Sequence, residues 1–353
     1  MRVVVIGATG NVGTALVRSL GGDERVDEIV GIARRRPTLQ LPRTVWREAD
    51  IATADLRPLL DGADAVVHLA WLIQPSRDER ATHAVNVEGS AAVFAASGEV
   101  GVGALVYASS VGAYSPGPKD RAVDESWPTE GIPSSFYSRH KAAVERILDA
   151  FELAHPDVRT VRLRPGLIFQ REAASGIRRL FAGPFLPSPL LRPGAIPVFP
   201  RHPRLRFQAV HAHDVADAYR LAVVDPAARG AYNVAAEPVL DGDRLARLLG
   251  ARAVSVPAAV LRAGADLTWR ARLQPSPAGW VDLGLGVPLL DSTRARTELG
   301  WTPRHDAEQA FLELLEGMRE GAGYDTPPLD PRAGGPLRSR ELLTGVGARA
   351  TGP

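Results

Sequence analysis

The chain is 353 residues long, enough for one large domain or two intertwined ones, and it is 45% hydrophobic against 23% charged, as a globular protein is. A formal net charge of +2 gives no electrostatic case for a nucleic acid partner, and the lack of cysteine excludes disulfides, thiolate chemistry and cysteine-bound metal. No apolar run reaches the roughly 18 residues of a membrane span and no leader pattern opens the chain, so the expectation is a cytoplasmic protein without a membrane partner.

The first element is an apolar run, Val3–Ile6, that breaks into Gly7, Gly10 and Gly13 and continues as an amphipathic helix over Val12–Leu20. An ordinary glycine turn can carry three glycines. This one lies between a strand pattern and a helix pattern, the context in which such a turn receives a pyrophosphate. Gly7 permits the tight turn, Gly10 the approach of the phosphates, and Gly13 close packing of helix on strand. The helix start then offers free amides and a positive dipole end to the phosphates.

The second strand, Ile29–Ala33, runs into Arg34, Arg35 and Arg36. A carboxylate at this tip would accept a hydrogen bond from a ribose 2′-hydroxyl, whereas arginine offers a fork to a 2′-phosphate. The expectation therefore leans to NADP over NAD, with a solvated basic loop as the alternative. Further β-like runs follow at Ala65–Leu69 and Ala104–Ala108, separated by an amphipathic stretch, Thr82–Ala96. Strands alternating with helices predict an α/β fold, a Rossmann-type doubly wound parallel sheet covered on both faces.

The run Leu105–Ala108 ends in Ser109 and Ser110, where a parallel sheet binds its ligands. A loop cap would also use serine here. Tyr137 and Lys141 stand four apart, on one face of a helix whose stripe continues through Val144, Leu148 and Phe151. The pair alone is common on surface helices. Facing the sheet, it has a chemical use: a phenol has a reference pKa of about 10, and bringing it to neutrality takes roughly 4 kcal/mol of differential stabilisation, which a desolvated ammonium and a hydroxyl donor supply. Such a tyrosine exchanges a proton with an alcohol or ketone while hydride moves to or from a nicotinamide.

Beyond Arg164 the texture changes. Residues 183–205 are rich in proline, Phe207–Val215 reads as a polar strand carrying His211 and His213, and helical patterns return at 215–224, 241–249 and 306–319. No third ligand accompanies the two histidines at a supportive spacing, so no metal is expected. The domain reading is a dinucleotide-binding domain over 1–165 to which 207–235 returns, a substrate lobe from 166–206 and 236–320, and a loosely ordered tail over 321–353.

Taken in order, Gly7 to Gly13, Asp50-Ile51, His68-Leu69-Ala70, Asn86 to Gly89, Ser109-Ser110, Tyr137 to Lys141, Arg164-Pro165-Gly166, Val210-His211 with Asp214 to Ala216, and Leu299 to Pro303 closely resemble the extended short-chain dehydrogenase/reductase family, also called the NAD-dependent epimerase/dehydratase family. The resemblance implies an NAD(P)-dependent dehydrogenase or reductase. Ser110, Tyr137 and Lys141 would be catalytic. The cofactor would be held by Gly7, Thr9, Gly10, Asn11, Val12, Gly13, Arg34, Arg35, Asp50, Ile51, Leu69, Ala70, Asn86, Ala108, Tyr137, Lys141, Pro165 and Ile168. Val111-Gly112 replaces the acidic pair of the family's sugar-nucleotide dehydratases, and Leu167 the asparagine of many of its epimerases. With the apolar Phe181–Pro200 stretch and Trp71 narrowing the pocket, this points to a small, fairly apolar metabolite; Arg171, Arg178 and Arg179 keep open the alternative of a sugar-nucleotide epimerase. A dinucleotide-binding regulator without turnover is the third reading. The expected partner is a small-molecule substrate, and a homodimer stays open.

Overall fold

The computed structural model describes residues 1–182 and 194–331. Its centre is a seven-stranded sheet of β1 (Arg2–Ile6), β2 (Glu28–Ala33), β3 (Thr44–Glu48), β4 (Ala65–His68), β5 (Ala104–Ala108), β6 (Arg159–Pro165) and β7 (Gly230–Val234). All neighbours pair in parallel, in the order β7-β6-β5-β4-β1-β2-β3. The chain winds outward from β1 through β3, then crosses back to β4. The carboxyl ends of β1 and β4 therefore flank the crevice where such sheets bind ligands.

The continuous apolar strands are explained by helices on both faces. Val3 and Val5 pack with Leu16, Val17 and Leu20 of α1 (Asn11–Gly21) and with Tyr219 and Ala222 of α4 (Ala212–Val224). Val4 and Ile6 point the other way, into a core with Phe94 of α2 (Gly89–Val100) and Val144, Leu148 and Phe151 of α3 (Phe136–Ala154). The period-two alternation of the strands thus distributes one apolar run over two cores. Smaller two-stranded pairs, among them Val198–Arg201 with Arg252–Ser255 and Arg206–Phe207 with Leu240–Asp241, lie outside the central sheet.

Three features depart from the sequence reading. The strand expected over Phe207–Val215 stops at His211, because the His211 side chain caps α4 by accepting a hydrogen bond from the His213 amide at Nδ1, 3.2 Å away. His213 is therefore helical. β6 was hidden by its arginines: it reads Arg-Thr-Val-Arg-Leu-Arg-Pro, yet every residue is buried. Residues 321–331, expected to belong to a loose tail, pack against the body instead, with Thr326 1% and Leu329 5% exposed. Residues 332–353, and 183–193 of the apolar proline-rich stretch, lie outside the described residues.

Candidate active site

The glycine turn has the geometry its spacing suggests. Gly7 adopts φ +83°, and a Cβ there would lie 2.6 Å from the Ala70 amide nitrogen; one at Gly13 would lie 2.3 Å from the Gly7 carbonyl. Both positions are closed to any side chain by the protein itself. At Gly10 the nearest neighbour of such a Cβ is the Gly7 carbonyl at 3.4 Å, so protein packing leaves a side chain room. Glycine at that point fits a ligand that must come close to the backbone. Leu69 and Ala70 lie beside the turn, where the Leu69 amide donates to the Ile6 carbonyl at 2.8 Å.

Asn11 differs from the simplest expectation. Its side chain is taken by the protein: Nδ2 donates to the Ile168 carbonyl at 3.2 Å, and Oδ1 accepts from Gln170 at 2.7 Å. These bonds bring Ile168 to the turn, while Pro165 stays buried at the end of β6. Arg34 and Arg35 are exposed just past β2. Ile51 is buried in the core, and Asp50 accepts from the Ala52 amide at 3.1 Å.

The second half of the site is built on β5 and α3. Ser135 caps α3, and the Ser138 hydroxyl donates to the Gly112 carbonyl at 2.5 Å while accepting from the Ile132 amide at 2.6 Å. These bonds fasten the helix start to the turn after Ser110 and set Tyr137 opposite it. A Cβ at Gly112 would lie 2.7 Å from the Tyr137 ring and 3.4 Å from the Ser110 hydroxyl, so no side chain fits between them. The acidic residue of the dehydratase pattern would intrude on the phenol here.

Lys141 is buried, with Nζ donating to the Ala108 carbonyl at 2.6 Å. The Trp71 ring covers it with the centroid 3.5 Å from Nζ, and the Tyr137 ring centre lies 5.9 Å away. Burial holds the lysine well below its usual range, opposed by the negative charge of Glu145. Burial also pushes the Tyr137 phenol up to about 12, while the Ser110 hydroxyl draws it down.

Trp71 joins the two halves of the site. It follows Ala70 at the glycine turn and meets Tyr137 edge-on at 5.8 Å. Asn86 secures this segment from both sides of its amide, accepting from the Leu72 nitrogen at 2.7 Å and donating to the Leu72 carbonyl at 2.8 Å. Sequence reasoning missed the opposite wall. Trp280 lies 5.0 Å from the Tyr137 ring and 4.9 Å from Phe181, and it comes from the helix Gly279–Gly286, whose short pattern carried no motif. The indole nitrogens of Trp71 and Trp280 are buried without a hydrogen-bond partner among the described residues.

Arg171 and Arg179, weighed for an anionic substrate, meet the C-terminal region instead: Arg171 pairs with Glu320, and Arg179 donates to the Pro328 carbonyl at 2.6 Å. His211, His305 and Glu313 bring their ligand-type atoms within 4.8 Å of one another, a grouping the spacing of His211 and His213 did not reveal. Each is engaged by the protein. With Nδ1 accepting a backbone amide, His211 carries its proton at Nε2, 3.1 Å from Glu313; His305 Nδ1 lies 3.0 Å from Asp214.

Comparison with known proteins adds kinship to this geometry. The model of the NAD dependent epimerase/dehydratase family matches residues 3–235. An uncharacterized protein of Mycobacterium tuberculosis is 29% identical over 325 residues, which are 92% of this chain and 31% of that protein; the chain spans under a third of that relative. An NAD-dependent glucose-6-phosphate dehydrogenase of Haloferax volcanii is 30% identical over 183 residues, 48% of this chain and 69% of the relative. Among solved structures, the UDP-glucose 4-epimerase of Thermus thermophilus, in complex with NAD, has a TM-score of 0.65 at 20% identity, over 90% of this chain and 99% of that one. No helix among the described residues is long and apolar enough to cross a membrane.

Proposed function

The chain belongs to the NAD dependent epimerase/dehydratase family, and we propose that it interconverts a secondary alcohol and a ketone on a sugar-type substrate, with a nicotinamide dinucleotide on the glycine turn and Tyr137 as acid and base. The observation that carries this reading is the convergence of Ser110, Tyr137 and Lys141 at the carboxyl end of β5, joined to the turn through Ala70 and Trp71. When bound, the dinucleotide supplies the hydride acceptor or donor. Tyr137 takes the alcohol proton, Ser110 holds the substrate oxygen, and Lys141 favours the phenolate by its charge and binds the nicotinamide ribose. The amides of Asn11, Val12 and Gly13, at a helix start, receive the phosphates while Thr9 shapes the turn. Leu69, Ala70, Ala108, Pro165 and Ile168 line the channel, Asp50 and Ile51 lie toward the adenine, and Asn86 holds the wall.

The family and its sugar-nucleotide members favour return of the hydride to the same carbon, as in an epimerase. A net dehydrogenase or reductase of a more apolar metabolite is the second reading, favoured by Leu167, which is 42% exposed.

The test begins with acid-denatured protein, from which any released dinucleotide is identified. Sugar phosphates, sugar nucleotides and a panel of ketones and alcohols are then assayed with NAD(H) and NADP(H). An epimerase retains dinucleotide and interconverts stereoisomers with no net change in reduced nicotinamide; a dehydrogenase consumes added cofactor. A protein that neither retains nor binds either dinucleotide overturns the proposal. In the same assay, replacing Arg34 and Arg35 together by Ser is expected to weaken NADP(H) about tenfold or more and leave NAD(H) nearly unchanged, as loss of a charge-assisted contact would. An unchanged ratio of affinities removes both arginines from 2′-phosphate recognition.

A further inference from the structure

We propose that the C-terminal segment Gly321–Pro331 is part of the cofactor site, and that it straps the phosphate-binding turn through Thr326 so that the dinucleotide is released slowly. The inference rests on the proposed function, since it needs a dinucleotide on the glycine turn. It concerns a segment far beyond residue 235, where the family match ends.

The helix Ala307–Glu320 ends in Gly321 at φ +68°, which turns the chain back toward the sheet. The segment that follows is braced by its own backbone: the amides of Leu329 and Asp330 both donate to the Thr326 carbonyl, at 2.9 and 2.8 Å. It is held from two sides. On one side the Leu329 side chain is 5% exposed and rests on Gly176, where an added Cβ would meet it at 3.2 Å. On the other, the Tyr324 ring lies 5.0 Å from the guanidinium of Arg18 on α1, and the Thr326 hydroxyl donates to the Thr9 carbonyl at 3.0 Å.

Thr9 lies inside the glycine turn, between the positions that Gly7 and Gly10 keep free of side chains. The peptide joining Thr9 to Gly10 is fixed at both ends: Thr326 binds its carbonyl, and its Gly10 amide donates to the Gly7 carbonyl at 3.1 Å. One residue further, the Asn11 carbonyl accepts from Gln170 at 3.0 Å. The strap and the segment after β6 thus orient the helix start from two directions. Amides fixed before the phosphates arrive bind them with less ordering cost, which slows dissociation more than it speeds association. Thr326 is accordingly a positioning residue for cofactor: it acts through Thr9 and touches no reacting atom.

The test uses the full-length protein and NADH or NADPH, whichever it binds more tightly. Bound reduced dinucleotide is chased with an excess of its oxidised form, and the loss of its fluorescence gives the dissociation rate. Thr326→Val removes the donor at nearly constant shape and is expected to speed release about tenfold, with the rate of hydride transfer from already bound cofactor changed less than threefold. Thr326→Ser is expected to restore slow release. Tyr324→Leu, which loosens the same segment from α1, is expected to speed release without touching the turn. Thermal unfolding of each variant separates a loosened strap from a destabilised fold. Release at the parental rate in both Thr326→Val and Tyr324→Leu overturns the strap while leaving the proposed function intact. A parental protein that binds no dinucleotide overturns both.

Discussion

Replacing Tyr137 by Phe is expected to lower turnover about a thousandfold while dinucleotide affinity changes less than about threefold. The substitution is narrow by construction. The ring that packs on Trp71 and Trp280 is kept, and only the hydroxyl facing Ser110 is lost. Burial works against this chemistry: it pushes the phenol up to about 12 and holds the neighbouring lysine well below its usual range. Opposing this trend are the Ser110 hydroxyl beside the phenol and, around Lys141, Glu145 one turn beyond it, the Ala108 carbonyl and the Trp71 face on its ammonium.

A phenol raised above neutrality makes a prediction of direction as well as size. Oxidation of an alcohol needs the phenolate, so its kcat/KM should climb with pH through the neutral range; reduction of a ketone needs the phenol and should not climb. The Tyr137→Phe variant should lose this slope along with its rate. The measurement is a pair of pH profiles, one in each direction, with cofactor affinity followed by fluorescence. Turnover within threefold of the parental protein would take Tyr137 out of the chemistry.

How far the sequence revealed this site depended on whether a residue acts through its neighbours in the chain or through contacts across the fold. Gly7, Gly10 and Gly13 were legible because a strand, a tight turn and a helix are consecutive, and each glycine answers a local steric demand. Tyr137 and Lys141 were legible because helical spacing ties them to a buried stripe. Trp280 carries no such local signal. It reaches Tyr137 only because a short helix from another part of the chain lies against the start of α3, and nothing about Gly279–Gly286 announces that meeting. Thr326 is the extreme case, meeting Thr9 across 317 residues from within a segment rich in glycine and proline, where a composition-based reading expects little order. The fold was read more fully than the site, but β6 shows the limit. Three arginines in seven residues resemble a surface strand until Glu145, Glu152, Asp149 and several backbone carbonyls are found around them.

Those arginines lead to the second large effect, at Glu145. It lies on α3 one turn past Lys141 and is fully buried. Arg164 grips it with two bonds of 2.9 Å, Arg162 adds a third of 2.9 Å, and the Ser109 hydroxyl donates to it from the end of β5. Burial alone would raise its carboxyl pKa; the hydrogen bonds and charges of Arg164, with Arg162 and Ser109, outweigh that and bring it down to about 2. Glu145→Ala removes the shared carboxylate of a buried ionic cluster, leaves the Arg164 guanidinium without a carboxylate partner among the described residues while Arg162 keeps Asp149 and Glu152, and is expected to cost about 3–5 kcal/mol of stability. The sign with pH follows from the lowered value. The carboxylate's stabilisation is complete above the ordinary carboxyl range and is lost as pH falls from there toward about 2, so the gap between parent and variant should narrow in acid. Glu145→Gln, which keeps the shape, separates folding from chemistry. It withdraws the negative charge that favours the ammonium of Lys141, so the phenolate of Tyr137 loses support and the acid limb of the oxidation profile should move to higher pH. Chemical denaturation across pH gives the first quantity and the pH profile of the Gln variant the second. If the Ala variant unfolds at the parental midpoint, the cluster does not hold α3 to the sheet; if the Gln variant keeps the parental profile, Glu145 does not tune the lysine.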